Sequence, residues 1–96
     1  MISSKQRSKL RSLAHHLKPN VIVGKSGVTK GVVESISESL DAHELIKVKF
    51  NASKQDKGDF ISSAEDLLSA YIVGTIGHTI IIYRANEDRE KRKYHI

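Results

Sequence analysis

The chain contains no cysteine and no tryptophan. The first absence excludes disulfide frameworks, Cys-bearing zinc sites, iron–sulfur clusters and thiol nucleophiles. Aromatic residues number five: Phe50, Phe60, Tyr71, Tyr83 and Tyr94. Proteins that read unpaired bases stack them on exposed aromatic rings, and this chain is poorly equipped for that, because Phe50, Phe60 and Tyr71 fall on apolar stripes that read as core. The longest strongly apolar run is Thr79–Tyr83 with its neighbours, far short of the roughly 20 residues that span a bilayer. The N-terminal Met1-Ile2-Ser3-Ser4-Lys5-Gln6 is polar from the start and lacks the apolar region of a signal peptide. The remainder, 39% hydrophobic and 28% charged over 96 residues, suits one small globular domain. The expectation is a soluble, cytoplasmic protein with no membrane partner.

Acid is also missing, but only locally. Residues 1–30 contain Lys5, Arg7, Lys9, Arg11, Lys18, Lys25 and Lys30 and no Asp or Glu, a formal charge of +7, while the rest of the chain balances at −2. One basic end on an otherwise balanced molecule is the usual footprint of a polyanion binder. A solvated, lysine-rich helix face would leave the same trace.

The single proline, Pro19, and the apolar periodicity divide the chain into elements. Leu10, Leu13, Ala14 and Leu17 recur at helical spacing, Ser3 and Gln6 fit a capping box, and Pro19 forbids continuation past Lys18, so helix one is expected over Ser4–Leu17. Val21-Ile22-Val23 reads as a short buried strand. Thr29 is a candidate N-cap for a second helix carrying Val33, Ile36 and Leu40. Between Leu45 and Phe50, Ile46, Val48 and Phe50 alternate with Lys47 and Lys49, the pattern of a half-buried strand. Residues 51–58 read as a polar loop and Asp59 as the cap of a third helix with Phe60, Ala64, Leu67, Leu68 and Tyr71 on its stripe. Val73–Ile76, a Gly77-His78 turn and Thr79–Arg84 read as a closing hairpin. Ala85–Ile96, mostly charged, is expected to be a loosely attached tail. The order α-β-α-β-α-β-β predicts an α/β fold, a compact sandwich of a sheet with helices packed on it.

Gly24-Lys25-Ser26-Gly27 stands between the first strand and the second helix. Glycines let a backbone turn with positive φ and bring its N–H groups close to a ligand. A helix N-terminus adds unpaired donors and partial positive charge suited to phosphate. A tight strand-to-helix turn can need glycine for geometry alone, but this loop falls inside the acid-free stretch. Gly-Lys-Ser is not the nucleotide-hydrolase motif GxxxxGK[ST], whose first glycine would stand where Pro19 is. A GxxG loop also clamps nucleic-acid backbone in KH domains, where it joins two helices. Adjacent His15 and His16 point about 100° apart on a helix and cannot form a chelating pair. Glu34, Glu38 and Asp41 read as solvated acids, and no Ser-His-Asp order is present. No catalytic activity, cofactor, metal or small-molecule substrate is expected.

Four ordered blocks then carry a family resemblance. They are Leu13-Ala14-His15-His16-Leu17-Lys18-Pro19, Val23-Gly24-Lys25-Ser26-Gly27-Val28-Thr29, His43-Glu44-Leu45-Ile46-Lys47-Val48-Lys49, and Gly77 with Ile82-Tyr83-Arg84. Together they resemble the CRM domain (chloroplast RNA splicing and ribosome maturation), in its stand-alone bacterial YhbY-like form, across about residues 3–84. The resemblance implies a fold similar to the C-terminal domain of translation initiation factor three. It also implies RNA as partner: precursors of the large ribosomal subunit for bacterial members and introns for plant members.

On these grounds residues 1–84 are expected to form an RNA-binding domain and 85–96 a charged tail. Gly24, Lys25, Ser26 and Gly27 would hold phosphate, with Lys5, Arg7, Lys9, Arg11, Lys18 and Lys30 extending the contact. Neutralising about six phosphates predicts a slope of log K against log salt of about −5 on a duplex. The competing expectation is an adaptor that docks an acidic protein on the basic first helix.

Overall fold

The computed structural model describes residues 2–51, 54–94 and 96. Its elements in chain order are α1 (Ser4–Ala14), β1 (Val21–Val23), α2 (Lys30–His43), β2 (Leu45–Phe50), α3 (Lys54–Leu68), β3 (Tyr71–Ile76) and β4 (Thr79–Tyr83), followed by a single 3-10 turn at Arg89–Lys91. The four strands form one mixed sheet in the order β1-β2-β4-β3, with β1 parallel to β2 and β4 antiparallel to both its neighbours. The expected α/β order and sandwich are therefore present.

Helices cover both faces of the sheet, which explains why the interior strand β4 is buried from Ile80 to Tyr83. Ile80, Ile81, Ile82 and Tyr83 of β4 are all buried, as a strand covered on both sides requires. One core lies between the sheet and α2 and α3: Ile36, Leu40, Phe60, Ala64 and Leu68 pack on Val23, Ile46, Val48, Phe50, Ile80 and Ile82. The other lies beneath α1, where Leu10 and Ala14 meet Leu45, Val73, Ile81 and Tyr83. β2 serves both. The alternation of Ile46, Val48 and Phe50 faces the first core, and Leu45 the second.

Several boundaries differ from those expected. Helix α1 carries the Ser3–Gln6 capping box but ends at Ala14 rather than Leu17. Past Ala14 the chain tightens, with the N–H of His15 donating to Ser12 at 3.2 Å and that of Leu17 to Ala14 at 3.0 Å, and the Lys47 Nζ caps this exit by donating to the carbonyls of Leu17 at 3.0 Å and His15 at 3.4 Å. Leu13, placed on the buried stripe by its spacing, is exposed, and so is Leu67 of α3. Helix α3 begins at Lys54, so Asp59 lies inside it and is not its cap. Of the residues read as a polar loop, 52 and 53 lie outside the described residues and 54–58 are helical. Tyr71 opens β3 and packs against the α1 side rather than ending the α3 stripe.

The tail is not loose. Ala85, Tyr94 and Ile96 pack against the core beneath α1, and the Tyr83 and Tyr94 rings meet edge to face at 6.5 Å. The anchor is Glu44, buried to 1% exposure. Its carboxylate accepts from the backbone N–H of Asn86 at 2.5 Å and from that of Lys93.

Candidate nucleic-acid interface

Strand β1 ends at Val23, and the chain turns at once: the N–H of Gly27 donates to the carbonyl of Gly24 at 3.0 Å. Lys25 and Ser26 form the exposed tip of this turn. Gly27 has φ +73°, a conformation that disfavours any side chain, and a Cβ built there would lie 3.6 Å from Oδ2 of Asp56. Gly24 has open space around it. Val28 then anchors the turn in the core. Thr29 caps α2, its side chain accepting from the N–H of Val32 at 3.2 Å, and the first turn of the helix carries no acid. Glycine at Gly27 is thus required by geometry, while the tip faces solvent at a positive helix end.

The parallel pairing of β1 with β2 sets Val23 beside Phe50 and brings further elements to the same end of the sheet. The N–H of Asn51 donates to Val23 at 2.8 Å, and that of Phe50 to His78 in the hairpin turn at 2.7 Å. The Lys57 ammonium donates to the Gly77 carbonyl, tying the first turn of α3 to the hairpin. Exposed Lys25, Lys30, Lys49 and Lys54 therefore share one end of the molecule. Lys54 was not singled out from the sequence, where it fell in the supposed polar loop. Its proximity to the GxxG turn depends on β1–β2 register, a long-range fact with no local signature.

The remaining basic residues do not gather there. Helix α1 packs on β2, β3 and β4, on the sheet face opposite α2 and α3. The Arg7 guanidinium donates to the carbonyl of Ile72, and that of Arg11 to Val73 at 3.2 Å. The Arg11 side chain also lies against Gly74, where a Cβ would come within 2.7 Å of its Cδ. Both arginines hold α1 to the sheet. Lys5 and Lys9 remain on the exposed side of that helix. Lys18 borders a groove with Pro19, His43, Lys93 and Tyr94, at the end where β1 begins. The acid-free stretch thus folds into separate basic regions, and of the ten residues named above only the turn and Lys30 belong to the loop end.

Among the described residues no cluster of three or more His, Asp or Glu could hold a metal. Asp41 forms an ion pair at 2.8 Å with Arg84, whose guanidinium also donates to Ser37 and Leu68 carbonyls at 2.8 and 2.9 Å. These bonds tie β4 to both helices of its layer. Burial, reinforced by the nearby Glu44 carboxylate and opposed by Arg92, raises the Tyr83 phenol above its ordinary range. No helix among the described residues is long and apolar enough to cross a membrane.

Comparison with known proteins agrees with this architecture. A family model for the CRS1/YhbY (CRM) domain matches residues 2–84. A Haemophilus influenzae protein named as an RNA-binding protein is 42% identical over 88 residues, covering 91% of this chain and 89% of its own length. The Bacillus subtilis protein YqeI, named a probable RNA-binding protein, is 38% identical over 92 residues, covering 95% and 96%. The solution structure of a Staphylococcus aureus protein, described as a candidate RNA-binding protein, superimposes with a TM-score of 0.79 at 31% identity, covering 97% of this chain and 98% of that one. A family match over nearly the whole folded unit, with relatives of the same length and the same fold, means that this chain belongs to the CRS1/YhbY (CRM) domain family.

Proposed function

We propose that this protein binds RNA through the GxxG end of its sheet, without catalysing a reaction, and acts on ribosomal RNA in cytoplasmic precursors of the large subunit. The observation that carries the reading is the turn itself. A GxxG tip carrying Lys25 and a geometrically required glycine is presented at a helix start with no acid in its first turn, at the end of the sheet that Lys30, Lys49 and Lys54 share, with the Asp56 carboxylate beside Gly27. Backbone N–H groups at such a turn, backed by lysines, suit a phosphate. The relatives' names support RNA as the polyanion, and the resemblance read from the sequence supports the ribosomal setting. The adaptor reading weakens, because two of the four basic residues on α1, Arg7 and Arg11, are engaged with the sheet.

On this reading the interface is smaller than the sequence suggested. With about four lysines facing the RNA, log K should fall with log salt at a slope of about −3.5 on a duplex. The test is fluorescence anisotropy across a salt series, comparing wild type with Lys25→Ala combined with Gly24→Asp. Gly24 has room for the new side chain, whereas a substitution at Gly27 would be strained. A folded variant that binds more weakly, with a slope shallower by about one per lost phosphate contact, is expected. Unchanged affinity and slope would reduce the turn to a structural connection. For the ribosomal assignment, the protein should co-sediment with large-subunit precursors and leave them after ribonuclease treatment.

A further inference from the structure

Beside the GxxG turn lies a row of the sheet that α1 leaves largely exposed. Strand register aligns Ile22, Lys49, Thr79 and Ile76 in one row across all four strands. The row lies on the α1 face, because its flanking positions Val21, Val23, Val48 and Phe50 point into the opposite core. The helix buries the rows of Leu45, Tyr83 and Ile81 and stops short of this one. Ile22 is 60% exposed and Ile76 61%, with exposed Lys49 and half-buried Thr79 between them.

We propose that this row is a platform for unpaired nucleotides, so that the preferred RNA is a junction between a duplex and a single strand rather than a continuous helix. The proposal rests on the RNA-binding reading above and names the substrate class of that same end. Three arguments favour RNA as the occupant. The row contains one positive and no negative side chain, so the band complements a polyanion. Ile22 stands two residues before Gly24, so a strand whose phosphate is held at the turn passes directly onto the row. Three inter-strand intervals of about 4.8 Å give the row a length of about 14 Å, and a four-stranded sheet of this kind accommodates two or three bases in other RNA-binding folds. The isoleucines would lie against ribose and base faces while Lys49 meets the intervening phosphate. Aliphatic side chains replace the exposed aromatic rings that this chain lacks. The preference should therefore be modest, about tenfold, or roughly 1.4 kcal/mol.

The test compares a blunt RNA hairpin with the same hairpin carrying a three-nucleotide overhang, by anisotropy at fixed salt. The proteins are wild type and Ile22→Ser/Ile76→Ser, whose folding is verified by circular dichroism and urea titration. Wild type should favour the overhang about tenfold. The double variant should bind both RNAs equally, with its salt slope on the blunt hairpin unchanged. Equal binding of the two RNAs by wild type, or a preference that survives in the variant, would overturn the platform and leave RNA binding standing. No binding of either RNA would sink the functional reading and the platform with it. A wild-type dimer in sedimentation, dissociated by the double substitution, would assign the row to a second copy of the chain and also overturn the proposal.

Discussion

A glutamate at φ +66° sits where the left-handed region crowds its Cβ, and Glu44 stays there because four hydrogen bonds converge on it. Its N–H donates to Leu40 at 2.8 Å, its carbonyl accepts from Arg84 at 2.9 Å, and its buried carboxylate takes the N–H groups of Asn86 and Lys93. Replacing it by alanine leaves two backbone donors without partners, at about 1–3 kcal/mol each when they stay buried. Glu44→Ala should therefore lower the urea midpoint by the equivalent of about 2–4 kcal/mol, with part of the loss avoided if the tail peels into water. Glu44→Gln, which keeps one carbonyl oxygen, should lose less. A variant as stable as wild type would mean that the tail is not anchored there. Close by, the raised Tyr83 phenol gives a pH dependence of defined sign. Above about pH 10 the unfolded chain loses this proton while the folded one keeps it buried, so stability is whole below that pH and falls as pH rises beyond it. The loss of stability between pH 9 and pH 11 should be smaller in Tyr83→Phe than in wild type; equal losses would show that Tyr83 does not contribute.

Among the elements, α2 follows most directly from its own residues. Thr29 caps it as its position before Val33, Ile36 and Leu40 implies, and Thr29→Ala should cost about 1 kcal/mol in urea titration. Because that cap also fixes the exit of the GxxG turn, the same variant should weaken RNA binding slightly without changing the salt slope. Likewise β2 was legible, since alternation of Ile46, Val48 and Phe50 with lysines fixes which of its faces enters the core. The ends of α1 and α3 were not. Leu17 has the spacing of a helical residue, yet α1 stops three residues earlier and the chain leaves through a tightened turn, whose Leu17 carbonyl is held by Lys47, thirty positions away. Helix α3 starts among Lys54, Gln55, Asp56 and Lys57, polar residues without apolar period, where Lys57 is held by the hairpin turn. The candidate site divides the same way. The turn could be read from four consecutive residues, whereas the separation of Arg7, Arg11 and Lys18 from it depends on which sheet face α1 covers. A run of basic residues in sequence carries no information about faces, so the acid-free stretch does not by itself define one patch.

The molecule has two distinct ends joined by its sheet. The GxxG turn, the start of α3 and the hairpin turn gather beyond Phe50, while Glu44, the tail and Tyr83 gather at Leu45. Five residue steps along β2 separate them by about 17 Å, more than the Debye length of about 8 Å at physiological salt. The segment from Asn86 to Ile96 carries four basic and three acidic side chains, so removing it barely changes net charge. It does uncover Tyr83 and Leu45, which Tyr94 and Ile96 help to bury. A chain ending at Ala85 should therefore be less stable, with a lower urea midpoint, yet bind RNA nearly as well once folded. At fixed salt its affinity should stay within about twofold of wild type and its salt slope should not change, because the lost charges lie beyond screening distance of the turn. A folded truncation that bound more than tenfold weaker, or with a slope reduced by one or more, would place phosphate contacts on the tail. The RNA would then have to run past Leu45 as well as over the turn, and the contact surface would extend along the whole α1 side of the sheet.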